Sequence, residues 1–182
     1  MNLFATPLWT ERLDLDTSII ADDIKAFALK TECARVSNIG GYQGDQYKND
    51  ELAHIITEYL PQRDDRPIKE CNVTMWANIN GPGHYNKRHH HCHSNTFLSG
   101  VYYVKTPPRS GNIRFYDPRG SVLLGMADGE YFEYISENVY VEVEENMLLF
   151  FPSWLEHDVE TNMSQYDRIS VAFNVAIKYG DH

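Results

Sequence analysis

At 182 residues and 42% hydrophobic, the chain is long enough for one domain whose core needs neither disulfides nor a structural metal. Its 16 Lys and Arg against 26 Asp and Glu leave a net charge of −10, which argues against nucleic acid and against an anionic membrane surface as general partners. No apolar run approaches the roughly 20 residues of a membrane span, the N-terminus lacks a basic and then apolar leader, and Cys33, Cys71 and Cys92 share no Cys-x-x-Cys spacing. The expectation is a cytoplasmic protein with free thiols.

Two helices are predicted early in the chain. Thr17-Ser18 can cap a helix carrying Ile20, Ile24, Phe27 and Ala28 at helical spacing, with Asp22-Asp23 placed in its first turn, where negative charge suits the helix dipole. A second helix is expected from Asp50 to Tyr59, with Leu52, Ile55, Ile56 and Tyr59 as one stripe and Pro61 just beyond. Between them, residues 37–44 are glycine-rich but lack the lysine and spacing of a phosphate loop, so they read as a surface connection.

From Cys71 the pattern changes to short strands separated by Gly, Pro, Asn and Asp. Val73, Met75, Ala77 and Ile79 alternate with polar or aromatic neighbours; Phe97 to Val104 is strongly β-forming; Val139, Val141 and Val143 alternate with Tyr140, Glu142 and Glu144. Met147 to Phe151 and Ile169 to Val175 complete the set. Strands without intervening helices predict a mainly β antiparallel sandwich or jelly roll, as a single domain over 1–182 in which an N-terminal helical and loop segment, residues 1–70, packs on a β core over 71–178. Residues 119–138, rich in Gly, Asp and Glu, read as a long loop at one mouth of the barrel.

Five of the eight histidines fall between residues 84 and 93: His84, His89, His90, His91 and His93. Neutral imidazole is the commonest side-chain ligand for iron, zinc, copper and nickel. In an extended segment His89, His91 and His93 share a face while His90 and Cys92 point away. On a jelly roll, a His-x-His pair and a distant histidine on another strand can meet inside the barrel, and His157, where a strand ends at Pro152 and another begins, is that distant residue. Eleven residues later, period two puts Arg168, Ser170, Ala172 and Asn174 on one face of a strand and Ile169, Val171, Phe173 and Val175 on the other. The apolar face reads as core. An arginine and a serine two apart on the small polar face can take one end of a dicarboxylate, the guanidinium in a two-pronged contact and the hydroxyl in a third.

Trp76-x-Asn78, His91-x-His93 followed by Leu98-Ser99-Gly100-Val101-Tyr102-Tyr103, Gly111 to Phe115 with Asp117-Pro118-Arg119, Phe150-Phe151-Pro152-Ser153-Trp154-Leu155-x-His157, and Arg168-Ile169-Ser170 with Phe173-Asn174 carry a resemblance. Together they resemble an uncharacterised 2-oxoglutarate and iron(II)-dependent oxygenase family of bacterial and phage genomes. The opening Leu3 to Pro7 and the 37–44 loop share in it, so the loop is expected to be more than a connection. The resemblance implies a double-stranded β-helix, Fe(II) and 2-oxoglutarate as cofactors, His91, His93 and His157 as metal ligands, Arg168 with Ser170 on the far carboxylate, and Asn78 or a tyrosine hydroxyl near the chelating end. The apolar and aromatic lining is expected from Trp76, Tyr102, Tyr103, Phe115 and Trp154.

The departure lies at His93, where most such oxygenases have Asp or Glu; water, a substrate group and Asp117 are alternatives for that position. His89-x-His91 is also a His-x-His. The pair His91 and His93 is preferred for its distance to Leu98-Ser99-Gly100, leaving His89 behind the ligands or at the substrate entrance. His84 and His90 read as surface or loop residues. The expected activity is hydroxylation of a protein side chain, an amino acid or a small metabolite, with 2-oxoglutarate, O2 and that substrate as partners, and substrate selection by residues 40–48, 82–90 and 119–138. Two alternatives stand beside it: a cupin-like three-histidine metalloenzyme without 2-oxoglutarate, and a non-catalytic jelly-roll binding module. The sequence leaves a homodimer open.

Overall fold

The computed structural model describes residues 5–61, 67–92, 96–119 and 138–180. Helix α1 spans Thr17–Ala28 and α2 spans Asp50–Glu58. The α1 cap is Asp16 rather than Thr17, its carboxylate accepting from the Ser18 N–H at 2.9 Å. Asp22 and Asp23 consequently fall beyond the first turn, and Asp23 accepts a 2.6 Å hydrogen bond from the Tyr47 hydroxyl. Helix α2 is capped by Asn49, which accepts from Leu52 N–H at 2.9 Å, with Asp50 and Glu51 in its first turn.

The remaining elements are strands: β1 (Trp9–Arg12), β2 (Asn38–Ile39), β3 (Tyr42–Tyr47), β4 (Ile68–Asn80), β5 (Tyr85–His89), β6 (Leu98–Lys105), β7 (Ile113–Tyr116), β8 (Asn138–Val141), β9 (Met147–Pro152), β10 (His157–Val159) and β11 (Arg168–Tyr179). They form two antiparallel sheets. The larger has the order β1-β9-β6-β11-β4-β3 and the smaller β2-β5-β10-β7-β8. This is the mainly β jelly-roll architecture expected from the strand pattern.

Strand alternation sorts the larger sheet into two buried faces. Met75 and Ala77 on β4, Leu98, Tyr102 and Val104 on β6, Leu148 and Phe150 on β9, and Ile169, Val171, Phe173 and Val175 on β11 pack with Ile20, Ile24, Leu52 and Ile56 of the helices. The opposite face, with Val101, Tyr103, Leu149, Phe151 and Ala172, packs against Ile113, Phe115 and Leu155 of the smaller sheet's side. A strand buried on both faces reads as a continuous apolar run, which is why β6 and β9 show little alternation in sequence. Tyr102 therefore belongs to the helix side and hydrogen-bonds Asn146 Oδ1 at 2.6 Å, rather than lining the barrel as expected. Trp154 does not line it either, being 44% exposed.

The glycine-rich segment is more than a connection. Its β2 half pairs with β5 in the smaller sheet and its β3 half with β4 in the larger, so it bridges the two sheets at one edge. The turn between the halves needs Gly40 and Gly41 at φ +67° and +62°, where a side chain is strained, and the His84 ring fills the space a Cβ on Gly40 would take. Near the other end, the expected run 139–143 is a strand only as far as Val141, and Val139 is 54% exposed. Of the long loop expected over 119–138, residues 120–137 lie outside the described residues.

Gly100 on β6 lies directly opposite Phe173 on β11 and Phe150 on β9, whose rings meet edge-on with centroids 5.4 Å apart. A Cβ at Gly100 would collide with the Phe173 ring and with the Leu149 carbonyl oxygen. Gly100→Ala is expected to destabilise the protein by about 1–3 kcal/mol through overpacking, read as a lower denaturant midpoint with unchanged slope.

Candidate metal and dicarboxylate site

Three histidines converge between the sheets. His89 ends β5 and His157 opens β10, and the two are direct partners in the antiparallel register, with ring centroids 4.4 Å apart. His91 follows two residues after His89, anchored by its N–H to the Ser153 carbonyl at 2.8 Å, and its ring centroid lies 5.1 Å from that of His157 and 4.9 Å from that of His89. The ligand atoms of His89, His91 and His157 all lie within 4.8 Å of one another. His-x-His spacing supplies two of them and the β5–β10 pairing brings in the third.

Backbone carbonyls set the imidazole tautomers. His89 Nδ1 is 2.7 Å from the Lys87 carbonyl oxygen and His157 Nδ1 is 2.9 Å from that of Leu155. A carbonyl only accepts, so each Nδ1 carries the proton and each Nε2 keeps its lone pair for a metal. Burial pushes the His157 pKa well below its ordinary 6.5, with the neighbouring His89 adding to the effect, and burial likewise lowers that of His89. Both rings are thus held neutral, the form that ligates.

Among the described residues the triad is His89, His91 and His157, so two of the three expected ligands, His91 and His157, stand in it. His89 stands in the cluster, His93 lies outside the described residues, and Cys92, past the end of β5, is exposed. Asp117, the alternative carboxylate, is held by Arg119 through contacts of 3.0 and 2.6 Å and does not join the cluster. His90 is exposed, and His84 is a structural ring whose Nδ1 accepts from Gly81 N–H at 3.0 Å. The signal for His89 was present in the sequence, because His89-x-His91 has the same period as His91-x-His93, and the strand pairing sets His89 across from His157.

The same cavity is lined by Arg168, Ser170, Asn78, Trp76 and Tyr103. Arg168 is only 2% exposed, and among the described residues it pairs with no carboxylate. Its guanidinium approaches Ser170 Oγ at 3.4 Å, and its guanidinium carbon lies 5.2 Å from the Tyr103 ring centroid. Arg168 Nε, Tyr103 OH and Asn78 Oδ1 are buried without hydrogen-bond partners. A buried cation and a phenol hydroxyl left unsatisfied in one cavity cost several kcal/mol unless an anionic ligand accepts from them, while the Asn78 oxygen needs a donor. Ser37 and Asn86, which sequence reasoning did not single out, also line the cavity; Asn86 donates to Ser37 Oγ at 3.3 Å and accepts from Asn80 at 2.8 Å. Three neutral nitrogen donors fit a divalent transition metal such as iron, and the orphaned guanidinium fits a carboxylate. A separate cleft of about 1090 Å³ lies among Lys87, Arg114, Glu142 and Asp158, and none of the three histidines lines it.

A depressed histidine pKa means that the unfolded chain binds more protons than the folded one below pH 6.5. Stability of the metal-free protein is therefore expected to be flat above about pH 6.5 and to fall as pH drops below it. His157→Gln should flatten that acid limb, as measured by thermal melts between pH 5 and 8.

The chain resembles several solved structures along nearly its whole length. A prolyl-4-hydroxylase from Pseudomonas putida matches at 16% identity and a TM-score of 0.60, covering 95% of this chain and 94% of the other. The epimerase SnoN of nogalamycin biosynthesis, solved with Fe3+, alpha ketoglutarate and nogalamycin RO, matches at 15% identity and a TM-score of 0.66 over 94% and 79% of the two chains. HygX from Streptomyces hygroscopicus, solved with nickel, 2-oxoglutarate and hygromycin B, matches at 8% identity and 0.60 over 94% and 83%. At these identities the likeness is one of fold. No curated protein matches the sequence. The profile of the family described as "Putative 2OG-Fe(II) oxygenase" matches residues 74–174, more than half of the chain. The chain belongs to that family of oxygenases, whose cofactors are Fe(II) and 2-oxoglutarate.

Proposed function

We propose that the protein is a 2-oxoglutarate-dependent hydroxylase in which His89, His91 and His157 hold Fe(II), Arg168 and Ser170 bind the far carboxylate of 2-oxoglutarate, and Asn78 contacts its chelating end. The observation that carries this reading is the buried Arg168, without a carboxylate partner among the described residues, in the cavity that the three histidines line. When bound, iron and 2-oxoglutarate supply the oxidation: one atom of O2 goes to 2-oxoglutarate, giving succinate and CO2, and the other to a C–H bond of the substrate. The chain's own contribution is binding, orientation and exclusion of water. The Arg168 guanidinium and the Ser170 hydroxyl fix one end of the cosubstrate, and Tyr103, with its phenol pKa pushed up to about 12 by burial, stays a neutral donor beside them. Trp76 stacks beside His91 with centroids 5.2 Å apart, and Phe115 and Phe151 pack on His157, closing the apolar side.

A protein side chain, an amino acid or a small metabolite is the substrate class we assign. Both a prolyl-4-hydroxylase and enzymes of antibiotic chemistry share the fold, which supports this range without narrowing it. The neutral ligand set favours the second reading, a three-histidine metalloenzyme that uses no 2-oxoglutarate, but such a site gives no reason for a buried unpaired arginine.

Protein mixed with Fe(II), 2-oxoglutarate and O2 is expected to release succinate even without substrate, and 2-oxoglutarate is expected to bind the Co(II) form by calorimetry. Arg168→Met should weaken that binding at least 100-fold; binding that survives the substitution would sink the reading. His89→Ala and His93→Ala separate the two registers. Loss of Co(II) binding by at least 100-fold is expected for His89→Ala and less than about threefold for His93→Ala, and the reverse pattern would restore His93 as the ligand.

A further inference from the structure

Charge in the cavity is unbalanced among the described residues. The three ligating side chains are neutral imidazoles, Arg168 is a permanent cation, and the acids nearest to His157 in sequence face outward. Asp158 accepts from Arg114 Nε at 3.0 Å and from the Tyr116 hydroxyl at 2.6 Å, while Glu156 accepts from Arg88 Nε at 3.0 Å. Strand alternation enforces this, since a residue next to His157 on β10 must point to the opposite side of the sheet. Asp117 is occupied by Arg119. A divalent ion on the triad thus adds two positive charges to a water-poor cavity that already holds one. Unlike exposed charges, these are poorly screened by solvent.

We propose that Arg168 opposes metal binding by the histidine triad until a dicarboxylate is bound, so that metal and cosubstrate load as a mutually dependent pair and the dicarboxylate supplies the negative charge that the ligand set lacks. This rests on the assignment of Arg168 and the triad given above. The coupling is reciprocal: whatever factor the dicarboxylate adds to metal affinity, the metal adds to dicarboxylate affinity. It also selects by charge. A keto acid with one carboxylate can chelate the metal but leaves Arg168 uncompensated, so pyruvate should couple more weakly to the metal than 2-oxoglutarate does. A ligand set with a carboxylate in place of one imidazole would lessen this dependence.

The test is calorimetric titration of Co(II) into the metal-free full chain, for wild type, Arg168→Met and Arg168→Lys, each alone, with pyruvate and with 2-oxoglutarate. Arg168→Met is expected to bind Co(II) alone at least tenfold more tightly than wild type, and Arg168→Lys, which keeps the charge, to match wild type. With Arg168→Met the advantage of 2-oxoglutarate over pyruvate should disappear. Simple chelation, with no role for the arginine charge, predicts equal Co(II) affinity in all three proteins without cosubstrate, and that result would overturn the proposal while leaving the triad assignment intact. Failure of every form to hold Co(II), with or without 2-oxoglutarate, would instead remove both.

Discussion

A guanidinium held where water barely reaches is the constraint around which this molecule is organised. Arg168 opens β11, the strand at the middle of the larger sheet, and it is opposite Asn80 of β4. Placing a charge there is unfavourable in itself, and only rigid surroundings on both sides can maintain it. Those surroundings come from alternation. Every second residue of β11 from Ile169 to Val175 packs against the layer beneath α1 and α2, while Arg168, Ser170 and Ala172 face the smaller sheet. The helices thus contribute indirectly to the site, by burying the back of the strand that carries the arginine.

The histidines depend on a different kind of contact. Two of the three are held by a hydrogen bond from Nδ1 to a carbonyl two residues earlier, so the backbone that sets their position also sets which nitrogen is free. On the other side of the smaller sheet, Arg114 and Tyr116 clamp Asp158, fixing β10 between β5 and β7 and with it the ring of His157. The bridging segment of β2 and β3 does the same at the sheet edge. Its Ser37 and Asn86 contacts reach into the cavity, which gives the 37–44 loop a role in shaping the site as well as in joining the sheets.

Much of this was legible in the residues, for specific reasons. Alternation along 168–175 separated the arginine face from the core face because strand period is local and insensitive to what the strand packs against. His157 was found through its spacing to Arg168 and its place after Pro152. The aromatic lining was less accessible: Tyr102 and Tyr103 are adjacent and chemically alike, and only the positions of the two layers send one toward the helices and the other toward Arg168. Strands β1, β2 and β5 escaped because they are short and polar, and their stability comes from pairing partners distant in sequence.

By itself, then, the sequence determined the class of fold, the chemical kind of the site and the two segments that build it, since those follow from composition, period and residue type. Which histidine of the 84–93 cluster meets His157 was decided only by the tertiary structure. His89 and His91 on one hand, and His91 and His93 on the other, share the same two-residue period, so no local rule separates them. The antiparallel register of β5 against β10 sets His89 directly across from His157, and among the described residues it is His89 and His91 that reach a common point with it.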